Sequence, residues 1–120
     1  MKEVKLHVAS VDDFFDAAAS AGRQVDQGLF SEQPEIVAFE NMEVLLAVLT
    51  ANRWQLLRRL RQQGPTSIRY LSQLLKRDYR AVHADVHALM AVGLIDRSDK
   101  GLICVHWERI IAEMAIDLAA

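Results

Sequence analysis

The stretch that decides the fold spans residues 53–107 and reads RWQLLRRLRQQGPTSIRYLSQLLKRDYRAVHADVHALMAVGLIDRSDKGLICVHW. Its first three segments repeat apolar residues at the three- and four-residue spacing of amphipathic helices. Gly64-Pro65 is a typical helix end, and Ser67 and Asp78 are typical N-caps for the two helices that follow. The last segment holds two apolar runs around a polar turn, which indicates a β-hairpin. The order helix, helix, turn, helix, hairpin predicts a winged helix-turn-helix.

Each of these helices is predicted to bury one side. The first covers residues 53–63, the second follows Ser67, and the third runs from Asp78 to Val92, with Gly93 at the stop position. The residues predicted to face inward are Trp54, Leu56, Leu57, Leu60, Ile68, Leu71, Leu74, Leu75, Val82, Val86, Leu89 and Met90.

The residues before this stretch predict an extension of strands and helices. Val4, Leu6 and Val8 alternate with polar residues, which is typical of a strand with one buried face. A helix is predicted from Ser10 to about Gly28, then a brief strand at 36–39. A further helix begins at Asn41, with Met42, Leu45, Leu46 and Leu49 predicted to face inward.

The C-terminal residues fit two patterns. Ile110, Ile111, Met114 and Leu118 fit a helical stripe, whereas Met114, Ile116 and Leu118 fit a strand that could pair with residues 2–8. We favour a short turn or helix at 107–110 followed by that strand.

These elements predict an α+β fold, mostly helical: a winged helix-turn-helix with an N-terminal strand-helix extension. We expect three parts. Residues 1–49 form an acidic segment for dimerisation or partner binding, residues 50–107 form the DNA-binding domain, and residues 108–120 form a tail that packs on the N-terminal part.

The composition is that of a globular cytoplasmic protein. The chain has 120 residues, 52% of them apolar, and a formal net charge of −2. Its single cysteine, Cys104, excludes an intrachain disulfide and a zinc cluster built from cysteines. The first residues lack the apolar segment of a signal peptide, and the longest apolar run, 44–49, is far too short to span a membrane.

The small net charge hides two blocks of opposite sign. Residues 1–51 carry three basic and nine acidic groups, whereas residues 52–100 carry ten basic and four acidic groups, a net charge of +6. Two such blocks favour two surfaces with different partners. The alternative is an uneven scatter of charge without functional meaning.

The third predicted helix is suited to the major groove of DNA, where the N-terminal part of such a helix contacts base edges. The preceding helix and turn, and the hairpin, are expected to contact phosphates, which position the protein without reading sequence. The predicted DNA-binding residues are Arg69, Lys76, Arg77, Tyr79, Arg80, His83, Ala84, His87, Arg97 and Lys100. Each of these side chains, taken alone, could instead be solubilising charge or surface filler.

The sequence gives little support for metal binding or catalysis. His83 and His87 have a metal-ligand spacing, but the nearby Asp85 lies on another helix face, so we predict no metal site. No phosphate-binding loop, nucleophile motif or carboxylate pair in an apolar setting is present, so we predict no catalytic residues, no cofactor and no enzyme. Cys104 is predicted to be a small buried hydrophobe, and Trp54 and Trp107 core anchors.

Residues 36–107, and the segment from Ser10 to Phe15, resemble the small MarR-like winged-helix predicted transcriptional regulators of bacteria and archaea. The most specific part is the Arg77-Asp78-Tyr79 run with the Val82-His83 and Asp85-Val86 pairs. The other matching residues are Leu49-Thr50, Arg53, Leu56, Leu57, Gly64 to Ser67, Leu89 and Gly93-Leu94-Ile95. Several genes of that family stand beside a toxin gene. The resemblance therefore implies DNA binding by the third helix and an autoregulating antitoxin of a toxin–antitoxin pair.

We thus expect a homodimeric DNA-binding transcription regulator whose partners are double-stranded DNA and a basic toxin protein. The homodimer is predicted because a lone winged helix gives weak specificity and because the apolar residues exceed what a few short elements can cover in one chain. Those apolar residues are Phe14, Phe15, Phe39, Leu45 and Leu46. The alternative function is a winged-helix adaptor that binds proteins and not DNA. A repressor that senses a small molecule would need a pocket for which the sequence offers no sign.

Overall fold

The structure is a computed structural model that describes residues 2–8, 35–114 and 118. In the described residues the chain is an α+β fold, as predicted. The elements in chain order are β1 (Glu3–Val8), β2 (Glu35–Phe39), α1 (Met42–Val48), α2 (Ala51–Gln63), α3 (Ile68–Leu75), α4 (Tyr79–Ala91), β3 (Asp96–Arg97), β4 (Ile103–Cys104) and β5 (Arg109–Glu113). The helix predicted from Ser10 to Gly28 lies outside the described residues.

These residues divide into two compact units. One comprises the described parts of Met1–Leu45 and Glu108–Ala120, and the other comprises Leu46–Trp107. The first unit contains a three-stranded parallel sheet in the order β2-β1-β5. Val4 and Leu6 of its central strand β1 are buried, so the predicted alternation is confirmed.

A C-terminal strand pairs with β1, as one of the two patterns predicted, but it ends before Met114 and Leu118, two of the residues whose alternation predicted it, and neither of these is in a strand. β5 spans Arg109–Glu113, and the predicted turn or helix at 107–110 is wrong because Arg109 already pairs with Glu3. The backbone amide of Glu108 donates a hydrogen bond to the carbonyl of Lys2, which aligns the two strands just before their ladder begins. Met114 lies beyond the end of the strand and is half exposed.

The second unit contains α2, α3, α4 and the β3–β4 hairpin. The hairpin is joined to the start of α3 by two backbone hydrogen bonds between Thr66 and Ile103, of 3.0 and 2.8 Å. Trp107 is buried and its indole nitrogen donates a hydrogen bond to the carbonyl of Gly93, so its prediction as a core anchor is confirmed. The core of this unit consists of Leu49, Leu56, Leu57, Leu60, Ile68, Leu71, Val82, Val86, Leu89, Leu94, Ile95, Ile103, Val105 and Trp107.

Two predicted core residues are instead exposed, Trp54 at 36% and Leu46 at 50%. Successive helical residues are turned by about 100°. The buried arc of α2 runs from Leu56 to Leu57, and Trp54 lies about 60° beyond it. Leu46 follows the buried Leu45 directly on α1 and is therefore turned about 100° away from it.

The apolar residues from which the homodimer was predicted have mixed placements. Phe39 and Leu45 are buried within the chain, Leu46 is exposed, and Phe14 and Phe15 lie outside the described residues. No helix in the described ranges is long and apolar enough to cross a membrane.

Candidate nucleic-acid interface

The local sequence fixes where α3 and α4 begin and how they are joined. The Ser67 hydroxyl accepts a hydrogen bond from the Tyr70 amide, and the Asp78 carboxylate accepts one from the Ala81 amide, so both predicted N-caps are confirmed. Lys76 ends α3 in the left-handed conformation, with φ of 53° and ψ of 45°. That conformation normally favours glycine. It ends the helix within one residue, so that only three residues, 76–78, separate α3 from α4.

Helix α4 separates its residues into two sides. Val82, Val86 and Leu89 are completely buried, at the four- and three-residue spacing that the sequence predicts. The structure places the predicted base-contacting residues on the exposed part of the helix, and these are Tyr79, Arg80, His83, Ala84 and His87. The helix is therefore anchored by one side and offers the other to a ligand.

Three rings form a row along this exposed side. The ring centroids of Tyr79 and His83 are 5.8 Å apart, and those of His83 and His87 are 4.2 Å apart. The Arg69 guanidinium of α3 lies 5.4 Å from the centre of the Tyr79 ring, a cation–π contact. This row brings four of the predicted residues from two helices onto one continuous surface.

Five of the six predicted basic side chains are exposed, and among the described residues they form no ion pair; they are Arg69, Lys76, Arg80, Arg97 and Lys100. The chain has no Asp or Glu between Glu43 and Asp78. On α4 the exposed row is free of carboxylates, since the helix's only acid, Asp85, is engaged elsewhere. Such a surface attracts polyanions.

Arg77, the sixth predicted basic residue, is engaged inside the fold. Its Nη2 atom lies 2.8 Å from Oδ2 of Asp85, and Oδ1 of Asp85 lies 3.0 Å from Nε of Arg53 on α2. The three side chains are only 14–25% exposed. Arg53 also donates from Nη1 to the carbonyls of Ala47 and Val48 at the end of α1. We call Arg53, Asp85 and Arg77 the Asp85 cluster.

The hairpin carries less positive charge than the block around it. Asp96, Arg97, Asp99 and Lys100 contribute two charges of each sign, so the excess of +6 in residues 52–100 lies entirely on α2, α3, α4 and the α3–α4 turn. Asp96 lies 3.2 Å from the His106 ring. Phosphate binding by the hairpin would therefore depend on Arg97 and Lys100, and the neighbouring carboxylates of Asp96 and Asp99 would oppose it by repelling the phosphate.

Cys104 lies beside that pair and is half-buried rather than fully buried. Its Sγ atom is 3.5 Å from Nε2 of His106. Burial, and then the negative charge of Asp96, raise the pKa of the Cys104 thiol above its ordinary value. The thiol therefore stays protonated near neutral pH, which disfavours a role as a nucleophile. No group of three or more metal-ligating side chains occurs among the residues that the structure describes.

Sequence reasoning missed the Asp85 cluster, although the signal was present. Between residues 44 and 95 only two acids, Asp78 and Asp85, stand among eight basic residues. Asp78 is explained as an N-cap, so Asp85 is an acid without a local purpose, on a helix otherwise suited to DNA. An unexplained carboxylate among arginines is a reason to expect an internal ion pair.

Comparison with known proteins gives a match to a protein family. The family model HVO_A0114 matches residues 48–112, which include α2, α3, α4 and the hairpin. No curated protein and no solved structure matches the chain.

Proposed function

The chain belongs to the HVO_A0114 family, and we propose that this member is a transcription regulator in which residues 46–107 form a winged helix-turn-helix that binds double-stranded DNA. The description of the family names no activity, so the proposal depends on the site. By the resemblance to the small MarR-like regulators, the proposal extends to an autoregulating antitoxin that pairs with a basic toxin. Co-purification of the product of a neighbouring gene tests that extension.

One observation carries the proposal: the exposed side of α4 combines Arg80 with the row of Tyr79, His83 and His87, while the helix's own acid, Asp85, is paired with Arg53 and Arg77. DNA-binding helices need cations that contact phosphates, and side chains such as arginine that can hydrogen-bond to base edges. The opposite side of α4 is fixed by three buried aliphatic residues. The exposed side can therefore enter a groove without unpacking the core.

The dimensions of α4 suit the major groove. With its side chains an α-helix is about 10–12 Å across, which matches the width of the groove of about 12 Å, and the 13 residues of α4 extend about 20 Å along it. In this arrangement Arg80 and His83, near the start of the helix, face base edges. Arg69 and Lys76, on α3 and its end, face the phosphates on one side of the groove, and Arg97 and Lys100 those near the hairpin.

We expect DNA binding to weaken steeply as salt is raised. Four exposed cations that this arrangement assigns to phosphates, Arg69, Lys76, Arg97 and Lys100, can each neutralise a phosphate and release a counterion. With about four phosphate contacts, the logarithm of the association constant should fall against the logarithm of salt concentration with a slope of about −4 per protomer. Fluorescence anisotropy of a labelled random duplex, titrated at several salt concentrations, measures this slope.

The same titration separates DNA binding from the adaptor function. An adaptor whose basic side is merely hydrated would show no saturable, salt-linked binding of duplex DNA. The matched control replaces Lys2 with Gln, a single basic residue outside the basic block, and should leave the slope as it is. A flat salt profile for the wild-type chain would exclude the proposed function.

We also expect the protein to bind DNA as a homodimer. Two copies related by a two-fold axis contact two half-sites about one helical turn apart, which supplies the specificity that one short helix lacks. The exposed Leu46, at the start of the second unit, is one apolar residue still available to such an interface. Light scattering at micromolar concentration, with and without duplex, measures the mass; a monomer under both conditions would contradict the expectation.

A further inference from the structure

The Asp85 cluster lies at the corner where α4 takes its direction. The backbone amide of Arg77 donates a 3.1 Å hydrogen bond to the carbonyl of Ser72, so residue 77 is attached to α3. Its side chain reaches forward to Asp85, eight residues later and in the middle of α4. A single residue thus spans the angle between the two helices.

The second oxygen of Asp85 attaches α4 to a different element. It accepts a hydrogen bond from Nε of Arg53. Nη1 of the same guanidinium donates to the last two carbonyls of α1. Both oxygens of the carboxylate therefore have a fixed guanidinium partner, one from α2 and one from the turn. The apolar contacts of Val82, Val86 and Leu89 hold α4 against the core, but they are not directional, so they set its rotation and tilt less strictly than two ion pairs do.

From this geometry we infer that Asp85 is a positioning residue: with Arg53 and Arg77 it fixes the orientation in which α4 presents Arg80 and His83 to DNA. Arg77 then acts inside the protein, not on phosphate. This inference rests on the proposed function where it concerns DNA, and on the structure alone where it concerns the helix corner.

Asp85→Asn gives a test in which two effects have opposite signs. The substitution removes a negative charge beneath a DNA-binding surface, and by electrostatics alone it would strengthen binding. If Asp85 positions α4, the substitution should instead weaken binding to the selected duplex. We expect the preference for a duplex selected by the wild-type protein over a random duplex to fall about tenfold, with an unchanged salt slope on the random duplex, because no phosphate contact is lost.

Arg77→Gln and Lys76→Gln form a matched pair of neighbours, one in the cluster and one exposed without an ion pair among the described residues. Lys76→Gln should lower the salt slope by about one and leave the preference for the selected duplex unchanged. Arg77→Gln should leave the salt slope unchanged and lower the preference for the selected duplex. This pair of variants also tests whether the cluster positions α4 if Asp85→Asn fails to fold. A slope lowered equally by both variants would make Arg77 a phosphate contact and overturn the inference.

A measurement without DNA keeps the inference separate from the proposed function. Amide hydrogen exchange should become faster in residues 76–84 of Asp85→Asn, well below its melting temperature, while the amides of residues 57–63, in the part of α2 that follows Arg53, keep their protection. If the wild-type protein selects no duplex, the proposed function fails and exchange alone decides. Unchanged exchange in residues 76–84 of a folded Asp85→Asn would show that the cluster does not hold the corner.

Discussion

Leu89→Ala is expected to lower the free energy of unfolding by about 2–5 kcal/mol. Leu89 has no exposed surface, and it lies on the side of α4 that faces the core of the second unit. The substitution removes buried apolar atoms and leaves a cavity that the surrounding helices only partly fill. Because small domains are stable by only about 5–15 kcal/mol, such a loss should lower the melting temperature by about 8 °C or more.

Urea denaturation followed by circular dichroism and by tryptophan fluorescence measures this change, since Trp107 is buried in the same unit. Leu118→Ala is the matched control: it is the same substitution at a leucine that is 88% exposed, and it should change stability by less than about 1 kcal/mol. Equal losses for the two variants would mean that Leu89 does not occupy a core position.

Arg80→Ala is expected to cost about 1–3 kcal/mol of binding free energy on a selected duplex, a loss of about 5- to 140-fold. Arg80 is exposed in the first turn of α4, without an ion pair among the described residues, and three residues before His83. An arginine in this position can donate two hydrogen bonds to the O6 and N7 atoms of guanine. Random duplex should be bound almost as well as before, and specificity should relax at one base pair.

Lys100→Ala provides the comparison for Arg80→Ala. Lys100 lies on the hairpin and should contact only backbone, so its loss should weaken binding to both duplexes alike and lower the salt slope by about one. Neither substitution affects a buried residue, so both melting temperatures should remain near that of the wild-type protein. If Arg80→Ala keeps the preference for the selected duplex and Lys100→Ala abolishes it, the hairpin reads sequence and α4 does not.

The features that the sequence predicts well are those with a local cause. Ser67 and Asp78 are N-caps because a short side-chain oxygen can reach the amide three residues later, and both bonds are present. The positive φ angles of Gly64 and Gly93, 81° and 84°, follow from their places at helix ends. The buried side of α4 follows from a helical repeat that needs no tertiary information.

The features that it predicts poorly depend on contacts between distant residues. Arg53 and Asp85 are 32 residues apart, and nothing in either neighbourhood shows that they meet. Trp54 is exposed because the core of α2 is centred on Leu60, a choice made by the neighbouring elements and not by the helix itself. For the same reason Arg77 looks like a phosphate contact in the sequence, whereas its side chain is turned to Asp85.

The parallel sheet imposes an order on events during synthesis. β1 leaves the ribosome first, yet one of its two neighbours, β5, follows about a hundred residues later. At a translation rate of about 5–20 residues per second, β1 waits about 5–20 s for that partner. Contacts within residues 46–107 join residues that lie closer together in the chain, so this unit can fold in the interval. The sheet around β1 can therefore be completed only after the middle of the chain has had time to fold.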